Sequence, residues 1–153
     1  MDSLHEKQLP LEALMPLIEQ TLAAGQTVRF SPKGTSMRPF LRQGIDQVVL
    51  APLPEKLRKY DLPLYRRDNG QYVLHRIIKA GETYTCVGDN QFALEQGVRK
   101  DQMIALVTAV VRPNRTTKMA GFAQQLYCRF WHYSRPLRRV IRWGKSALRR
   151  LIT

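Results

Sequence analysis

Short β-prone runs separated by tight-turn signals fill the middle of this chain. The turn Asp68-Asn69-Gly70 lies between two such runs, residues 62–66 and 72–78, and Asn-Gly favours a hairpin because both residues tolerate positive φ. Ala80-Gly81 turns the chain again, and residues 104–111 form the most β-prone run, which predicts a central strand. Because hairpin turns join antiparallel strands, the sequence predicts a small, mainly β domain with little helix in its body.

Alternation within the run 72–78 predicts a single strand that sends Val73, His75 and Ile77 to one face. Before the β region, residues 9–24 carry leucines and isoleucine at helical spacing, with Pro10 suited to a first turn and Gly25 to a C-terminal cap. We therefore predict an N-terminal helix that packs on the β domain.

The positive charge of the chain is concentrated at its C-terminal end. The net charge is +13 over 153 residues; residues 1–114 carry 15 Lys+Arg and 12 acids, whereas residues 115–153 carry 10 Lys+Arg and no acid. The length suits one domain with a core. We predict three segments: an N-terminal helical segment (1–26), a β domain (27–114) and a basic helical tail (115–153).

Cys86 and Cys128 are 42 residues apart, which predicts two free thiols rather than a disulfide framework. Neither cysteine has a neighbour at metal-ligand spacing, so we expect no metal and no cofactor. The first residues lack the basic and apolar regions of a signal peptide, and no apolar run has the length of a membrane span. We therefore expect a cytoplasmic protein.

Three motifs carry residues suited to nucleophilic catalysis. Ser36 lies in the turn Gly34-Thr35-Ser36-Met37-Arg38-Pro39, His75 in the run Leu74-His75-Arg76-Ile77-Ile78, and Asp89 in Val87-Gly88-Asp89-Asn90. A serine becomes a nucleophile when a base lies within hydrogen-bond reach. Taken singly, each residue has a structural alternative: a loop serine or aspartate that bonds its own backbone, and a buried histidine with both nitrogens satisfied. Spacing alone leaves these alternatives open.

In this order and spacing, the three motifs resemble the S24/S26 serine peptidases, which include LexA-type repressors and type I signal peptidases. The resemblance covers residues 27–111 and implies a LexA/signal-peptidase-like antiparallel β fold. It implies Ser36 as nucleophile and His75 as base; the base is lysine in LexA and bacterial signal peptidases and histidine in archaeal and eukaryotic signal peptidase subunits, so the chain is most similar to the Ser-His variant. The orienting acid matches either Glu95 or Asp89, and both stay candidates.

The resemblance also implies contacts to the oxyanion or the substrate from Gly34 and Met37, beside the nucleophile. One departure is Pro63, which stands in a strand position and removes a hydrogen-bond donor there. A histidine base, already mostly neutral near pH 7, needs a carboxylate to fix its tautomer more than it needs burial.

We therefore predict a serine endopeptidase of S24/S26 type that acts on a short extended segment of a peptide or protein, in peptide maturation or self-processing. Ala120-Gly121 is a possible self-cleavage bond, since LexA-type proteins cut themselves at Ala-Gly. The alternative is a non-catalytic binding module of the same fold that uses its basic tail to dock on a membrane or partner.

The sequence of the tail predicts an amphipathic helix after Pro136. Apolar residues from Leu137 to Ile152 fall in one arc of a helical wheel, with cations opposite and Trp143 at the boundary. This pattern is typical of a helix in a membrane interface, which predicts peripheral binding to an anionic membrane. Alternatives are docking on the β domain, an acidic or helical partner, and, ranked last, nucleic acid. The residues predicted to contact membrane or partner are Arg138, Arg139, Arg142, Trp143, Lys145, Arg149 and Arg150.

Overall fold

In a computed structural model, residues 10–152 are described, and they form two antiparallel β-sheets and three α-helices. The strands are β1 (Val28–Phe30), β2 (Gln47–Ala51), β3 (Pro63–Arg66), β4 (Tyr72–Leu74), β5 (Arg76–Ala80), β6 (Tyr84–Val87), β7 (Glu95–Val98), β8 (Met103–Arg112) and β9 (Arg115–Lys118). The helices are α1 (Leu11–Ala23), α2 (Phe122–Tyr133) and α3 (Arg135–Ile152). The predicted mainly β, antiparallel class with an N-terminal helix and C-terminal basic helices is confirmed.

The larger sheet has the order β1-β2-β8-β3-β4, and β9 also pairs with β8. Strand β8 is central, as predicted, because it lies between β2 and β3 and pairs with both. Pro63 is the first residue of β3, a position where a missing N–H costs the ladder little. The smaller sheet has the order β5-β6-β7.

Helix α1 covers one side of the larger sheet and buries Met15, Ile18 and Leu22. Pro10 is its N-cap, and Gly25 has a φ of +76° and donates its N–H to the carbonyl of Leu22. Positive φ after the last turn is what glycine permits at low cost. The predicted helix is thus confirmed within the described part of the chain; residue 9, its predicted start, lies outside the described residues.

The prediction of one strand over residues 72–78 is wrong. The chain leaves the larger sheet after Leu74, passes through His75, and enters the smaller sheet at Arg76. Residues 74–77 are all buried, because at a point where a chain changes sheets both of its sides are covered. The alternating pattern of residues 72–78 therefore does not tell on which face of a sheet the His75 side chain lies.

Two short strands were not predicted. Strand β7 (Glu95–Val98) has one buried residue, Val98, and β9 (Arg115–Lys118) has none. Strands without an alternating apolar face give little periodic signal. Strand β9 pairs with β8 from Arg112↔Arg115 onward, so the first residues assigned to the tail belong to the larger sheet.

The core has two parts that meet near His75. One lies between α1 and the larger sheet, and the other lies between the two sheets around Tyr65, Ile77 and Cys86. Cys86 and Cys128 are both buried free thiols, as predicted.

Helix α2 packs on the β body. Its Cys128 is 1% exposed, and the ring of Tyr127 stacks on Phe40 with centroids 5.5 Å apart. Ser134 separates α2 from α3 with helical φ and ψ. Within residues 10–152, no helix combines the length and apolar character needed to cross a membrane.

Candidate active site

His75 and Glu95 form a close pair at the junction of the two sheets. The Nδ1 atom of His75 lies 2.8 Å from Oε1 of Glu95. His75 is 2% exposed and comes directly after β4, whereas Glu95 is the first residue of β7. The structure therefore brings the predicted base against one of the two candidate acids and leaves Nε2 as the ring nitrogen for a reaction.

The Glu95 carboxylate is held by two further side chains. The hydroxyl of Tyr65 donates to Oε2 at 2.9 Å, and Nε of Arg67 donates to the same oxygen at 3.0 Å. A second Arg67 nitrogen contacts Oε1. Burial opposes ionisation of Glu95, but these hydrogen bonds outweigh it and hold the pKa of Glu95 below its usual value. Glu95 is therefore an anion near neutral pH.

Burial is the main influence on His75, and it lowers the pKa of the imidazole. The Glu95 carboxylate raises this pKa, while the charge of Arg67 lowers it. The net shift is downward, so His75 is neutral at pH 7. A neutral imidazole hydrogen-bonded through Nδ1 to a carboxylate is the form that accepts a proton at Nε2.

Ser36 lies in the loop between β1 and β2, half-buried, against the turn that follows β6. The amide of Asn90 donates to the Ser36 carbonyl at 2.8 Å, and Nδ2 of Asn90 donates to the Thr35 carbonyl at 3.2 Å. A Cβ added to Gly88 would lie 2.6 Å from the Ser36 carbonyl oxygen and 3.1 Å from Ser36 Cβ. Only glycine therefore allows the turn to approach Ser36 this closely.

His75 and Gly88 stand just beyond the paired ends of β5 and β6. Arg76 pairs with Val87 across β5 and β6, and His75 precedes Arg76 in the chain as Gly88 follows Val87. Gly88 contacts Ser36, so the Ser36 loop lies near the end of the β5–β6 pair at which His75 leaves β4. Within the described residues, the contacts of His75 use Nδ1, and no hydrogen bond joins its ring to Ser36.

Asp89, the other candidate acid, is paired with Arg76. Two nitrogens of Arg76 lie 2.9 and 2.8 Å from the two carboxylate oxygens of Asp89, and both side chains are buried. Arg76 also donates to the Tyr60 carbonyl at 3.2 Å and to Sγ of Cys128 at 3.1 Å. The geometry therefore assigns Asp89 to a buried ion pair and Glu95 to His75.

A cleft of about 300 Å³ runs between α1, the segment 30–37 and β4. Ser36 lines it, and its walls are mostly apolar, with leucines from α1 and the whole of β4. Strand β4 pairs with β3 alone among the described strands, so its other edge is open to an added strand. The predicted contact residues Gly34 and Met37 line the same cleft, and Met37 is also part of the core.

Ala120 lines a separate cleft of about 380 Å³ bounded by residues 58–62 and 106–108. Ser36 does not line that cleft. Cleavage of Ala120-Gly121 within one molecule would therefore require the segment to leave its place.

The C-terminal helices hold the turn that contacts Ser36. Trp131 Nε1 donates to the Asp89 carbonyl at 2.7 Å, and Arg138 donates to the same oxygen at 3.2 Å. Arg135 donates to the Phe92 carbonyl at 2.8 Å, and the guanidinium of Arg138 stacks on Trp131 at 3.8 Å. These contacts tie the position of α3 to the 88–92 segment.

The predicted tail cations divide into two groups. Arg138 and Arg142 face the body, and Arg142 donates to the Asn90 carbonyl at 3.4 Å. The other predicted tail residues are exposed on α3: Arg139, Trp143, Lys145, Arg149 and Arg150.

Comparison of the chain with protein-family models, curated proteins and solved structures gives no match.

Sequence reasoning missed two residues of the site, Tyr65 and Arg67. Both come from β3 and the residue after it, 28–30 positions before Glu95 in the chain. The sequence around Tyr65 predicts a buried aromatic residue of the core, and the position of Arg67 before a turn predicts a solvent-exposed charge. No local pattern signals that both reach one carboxylate.

Within residues 10–152, no group of His, Cys, Asp and Glu has the arrangement of a metal site.

Proposed function

We propose that the protein is a serine peptidase of the S24/S26 type with Ser36 as nucleophile, His75 as general base and Glu95 as the orienting acid. The observation that carries this proposal is the 2.8 Å contact between His75 Nδ1 and Glu95, together with the contact of Ser36 with Gly88 at the end of the β5–β6 pair. His75 directly follows Leu74, which lines the same cleft as Ser36, and a buried, neutral histidine with an ionised carboxylate on one nitrogen is a candidate general base.

The chemistry follows from this arrangement. His75 Nε2 takes the proton of the Ser36 hydroxyl while Oγ bonds to the carbonyl carbon of the substrate. The resulting imidazolium is stabilised by Glu95, which Arg67 and Tyr65 keep in place. The imidazolium then gives its proton to the leaving amine as the C–N bond breaks. Water, deprotonated by His75, releases the acyl group from Ser36 and restores the hydroxyl.

The cleft indicates the form of the substrate. An extended peptide that pairs with the open edge of β4 would satisfy its backbone by added-strand hydrogen bonds. Alternate side chains would then enter the apolar cleft beside Ser36. We therefore propose an extended peptide segment with apolar side chains near the cut bond as substrate.

The second candidate is a binding module that uses the cleft without cleavage. It is favoured by the absence of a Ser36–His75 hydrogen bond among the described residues. Free peptidases often have loose catalytic hydrogen bonds that tighten only when substrate is bound. The missing hydrogen bond is therefore compatible with cleavage as well, and an experiment must separate the two candidates.

One experiment distinguishes the two candidates. Wild-type protein is incubated with a peptide library digested from a whole proteome, and new termini are identified by mass spectrometry. The proposal predicts a set of cuts that disappears in Ser36→Ala and persists in Ser31→Ala, a serine that lines the same cleft. Cuts that survive Ser36→Ala, or a library that the wild type binds but leaves intact, would refute the peptidase and support the binding module.

A further inference from the structure

We propose that helices α2 and α3 bind the surface of an anionic lipid membrane through an apolar stripe that runs along both helices. The stripe consists of Phe122, Leu126, Phe130, Tyr133, Leu137, Val140, Ile141 and Leu148. This inference does not depend on whether Ser36 hydrolyses peptides.

The stripe is continuous because the two helices form nearly one helix. The amide of Ser134 donates to the Phe130 carbonyl at 3.0 Å, and the amide of Arg138 donates to the Ser134 carbonyl at 2.9 Å. At about 100° per residue, all members of the stripe fall within one arc of roughly 100°. One long face of the pair is therefore apolar.

This face is turned away from the body. Each member of the stripe is between 48% and 81% exposed. The body is contacted instead by the opposite side of the helices, through Cys128 and Trp131 in α2 and Arg138 in α3. An exposed apolar surface of this length marks a site of interaction.

The charge beside the stripe indicates what covers it. Residues 115–153 carry 10 Lys+Arg and no Asp or Glu. Arg129, Arg139 and Arg150 lie on one flank of the stripe, Lys145 lies on the other, and all four are exposed. Trp143 is 74% exposed at the border between the apolar and basic sides. Long cations that flank an apolar stripe, with tryptophan at the border, suit acyl chains below and lipid phosphates beside the helix.

Other occupants fit these features less well. A second copy of the chain would place two acid-free helices, with the cations that flank them, side by side, and like charges repel. Nucleic acid would meet cations first, but here a long apolar stripe is exposed, and two of the cations, Arg138 and Arg142, donate to carbonyls of the body. An anionic lipid surface satisfies both the apolar face and its basic flanks.

The test is co-sedimentation of the full-length protein with vesicles of phosphatidylcholine, with and without phosphatidylglycerol. We expect binding to the mixed vesicles, much weaker binding to pure phosphatidylcholine, and release at high salt, which screens exposed charges. Leu137→Ser should weaken binding about tenfold, because it removes one apolar side chain from the interface. Leu17→Ser is the matched control, since Leu17 and Leu137 are both 63% exposed on helices; it should bind as the wild type does.

A second pair of variants tests the charge. Lys145→Gln/Arg150→Gln should weaken binding roughly 30-fold, whereas Lys56→Gln/Lys79→Gln, with the same loss of charge on the body, should have little effect. Equal effects of the two double variants, or equal binding to both vesicle types, would overturn the proposal. So would a dimer in sedimentation equilibrium that Leu137→Ser dissociates, or stripe-dependent binding to RNA or DNA in the absence of lipid.

Discussion

The backbone amide of Asn90 donates a hydrogen bond to the carbonyl of Ser36 at 2.8 Å. Through this bond, the loop that carries the proposed nucleophile is attached to the turn that follows β6. The turn is attached in its own right to α2 and α3 through the carbonyls of residues 89, 90 and 92. The position of Ser36 therefore depends on the turn after β6 directly, and on α2 and α3 through their contacts with that turn.

Gly88→Ala should displace Ser36. The added Cβ would meet the Ser36 carbonyl oxygen at 2.6 Å, and this atom belongs to the backbone, so the loop must shift. We expect a loss of stability of about 1–3 kcal/mol, measured by urea unfolding, and a large fall in peptide cleavage. Gly81→Ala is the control, because its nearest atom lies 3.6 Å away. Equal stability and activity of the two variants would show that the Gly88 contact does not position Ser36.

Asp89→Asn should destabilise the fold more than any surface charge change. Arg76 and Asp89 are each 3% exposed at the side chain, and loss of one partner leaves the other charge buried and unpaired. The expected cost is about 3–5 kcal/mol, measured by chemical denaturation. Asp68, which pairs with Arg99 on the surface, provides the comparison, and Asp68→Asn should cost less than about 1 kcal/mol. Similar costs would mean that the buried pair relaxes or admits water.

Glu95→Gln should reduce catalysis while the protein stays folded. The amide has no charge to stabilise an imidazolium at His75, and it can hold the wrong tautomer by donating to Nδ1. We expect kcat/KM for a peptide substrate to fall by about 10³–10⁴-fold. Glu55→Gln, at an exposed glutamate, should leave the rate nearly unchanged. If Glu95→Gln retained wild-type kcat/KM with a folded near-ultraviolet spectrum, another group must orient His75.

The pKa of His75 should lie below the ordinary value of about 6.5, because burial disfavours the imidazolium. Neutral His75 thus favours the folded state: its contribution to stability is present above the unfolded pKa and is lost as the pH falls through the folded pKa. The measurement is an NMR titration of the ring proton, assigned with His75→Gln.

Two substitutions should move this titration in opposite directions. Glu95→Gln should lower the pKa of His75 further, and Arg67→Gln should raise it, because the carboxylate favours and the guanidinium disfavours the charged ring. His132, whose lowered pKa comes from burial, Lys59 and Arg135, should titrate as before in both variants. Shifts of the same sign at His75 would contradict the electrostatic account of the site.

Much of the fold was predictable from local patterns. The helical spacing of apolar residues in α1, the turn at Asp68-Asn69-Gly70 and the apolar run of β8 each arise within a short window of sequence. Such patterns report which side of an element is buried, and they located these elements to within two or three residues. They failed at residues 72–78, where one continuous pattern covers two strands of different sheets.

The sequence by itself determined the elements with strong apolar periodicity, the free cysteines and the basic character of the C-terminal helices. The tertiary structure decided that Glu95 lies on His75 while Asp89 lies on Arg76, and that the apolar side of α3 is turned outward. The physical reason is that periodicity describes burial along one element. Ion pairs instead depend on distances between elements, and Glu95 meets Arg67, Tyr65 and His75 only because β3, β7 and the junction after β4 converge in space.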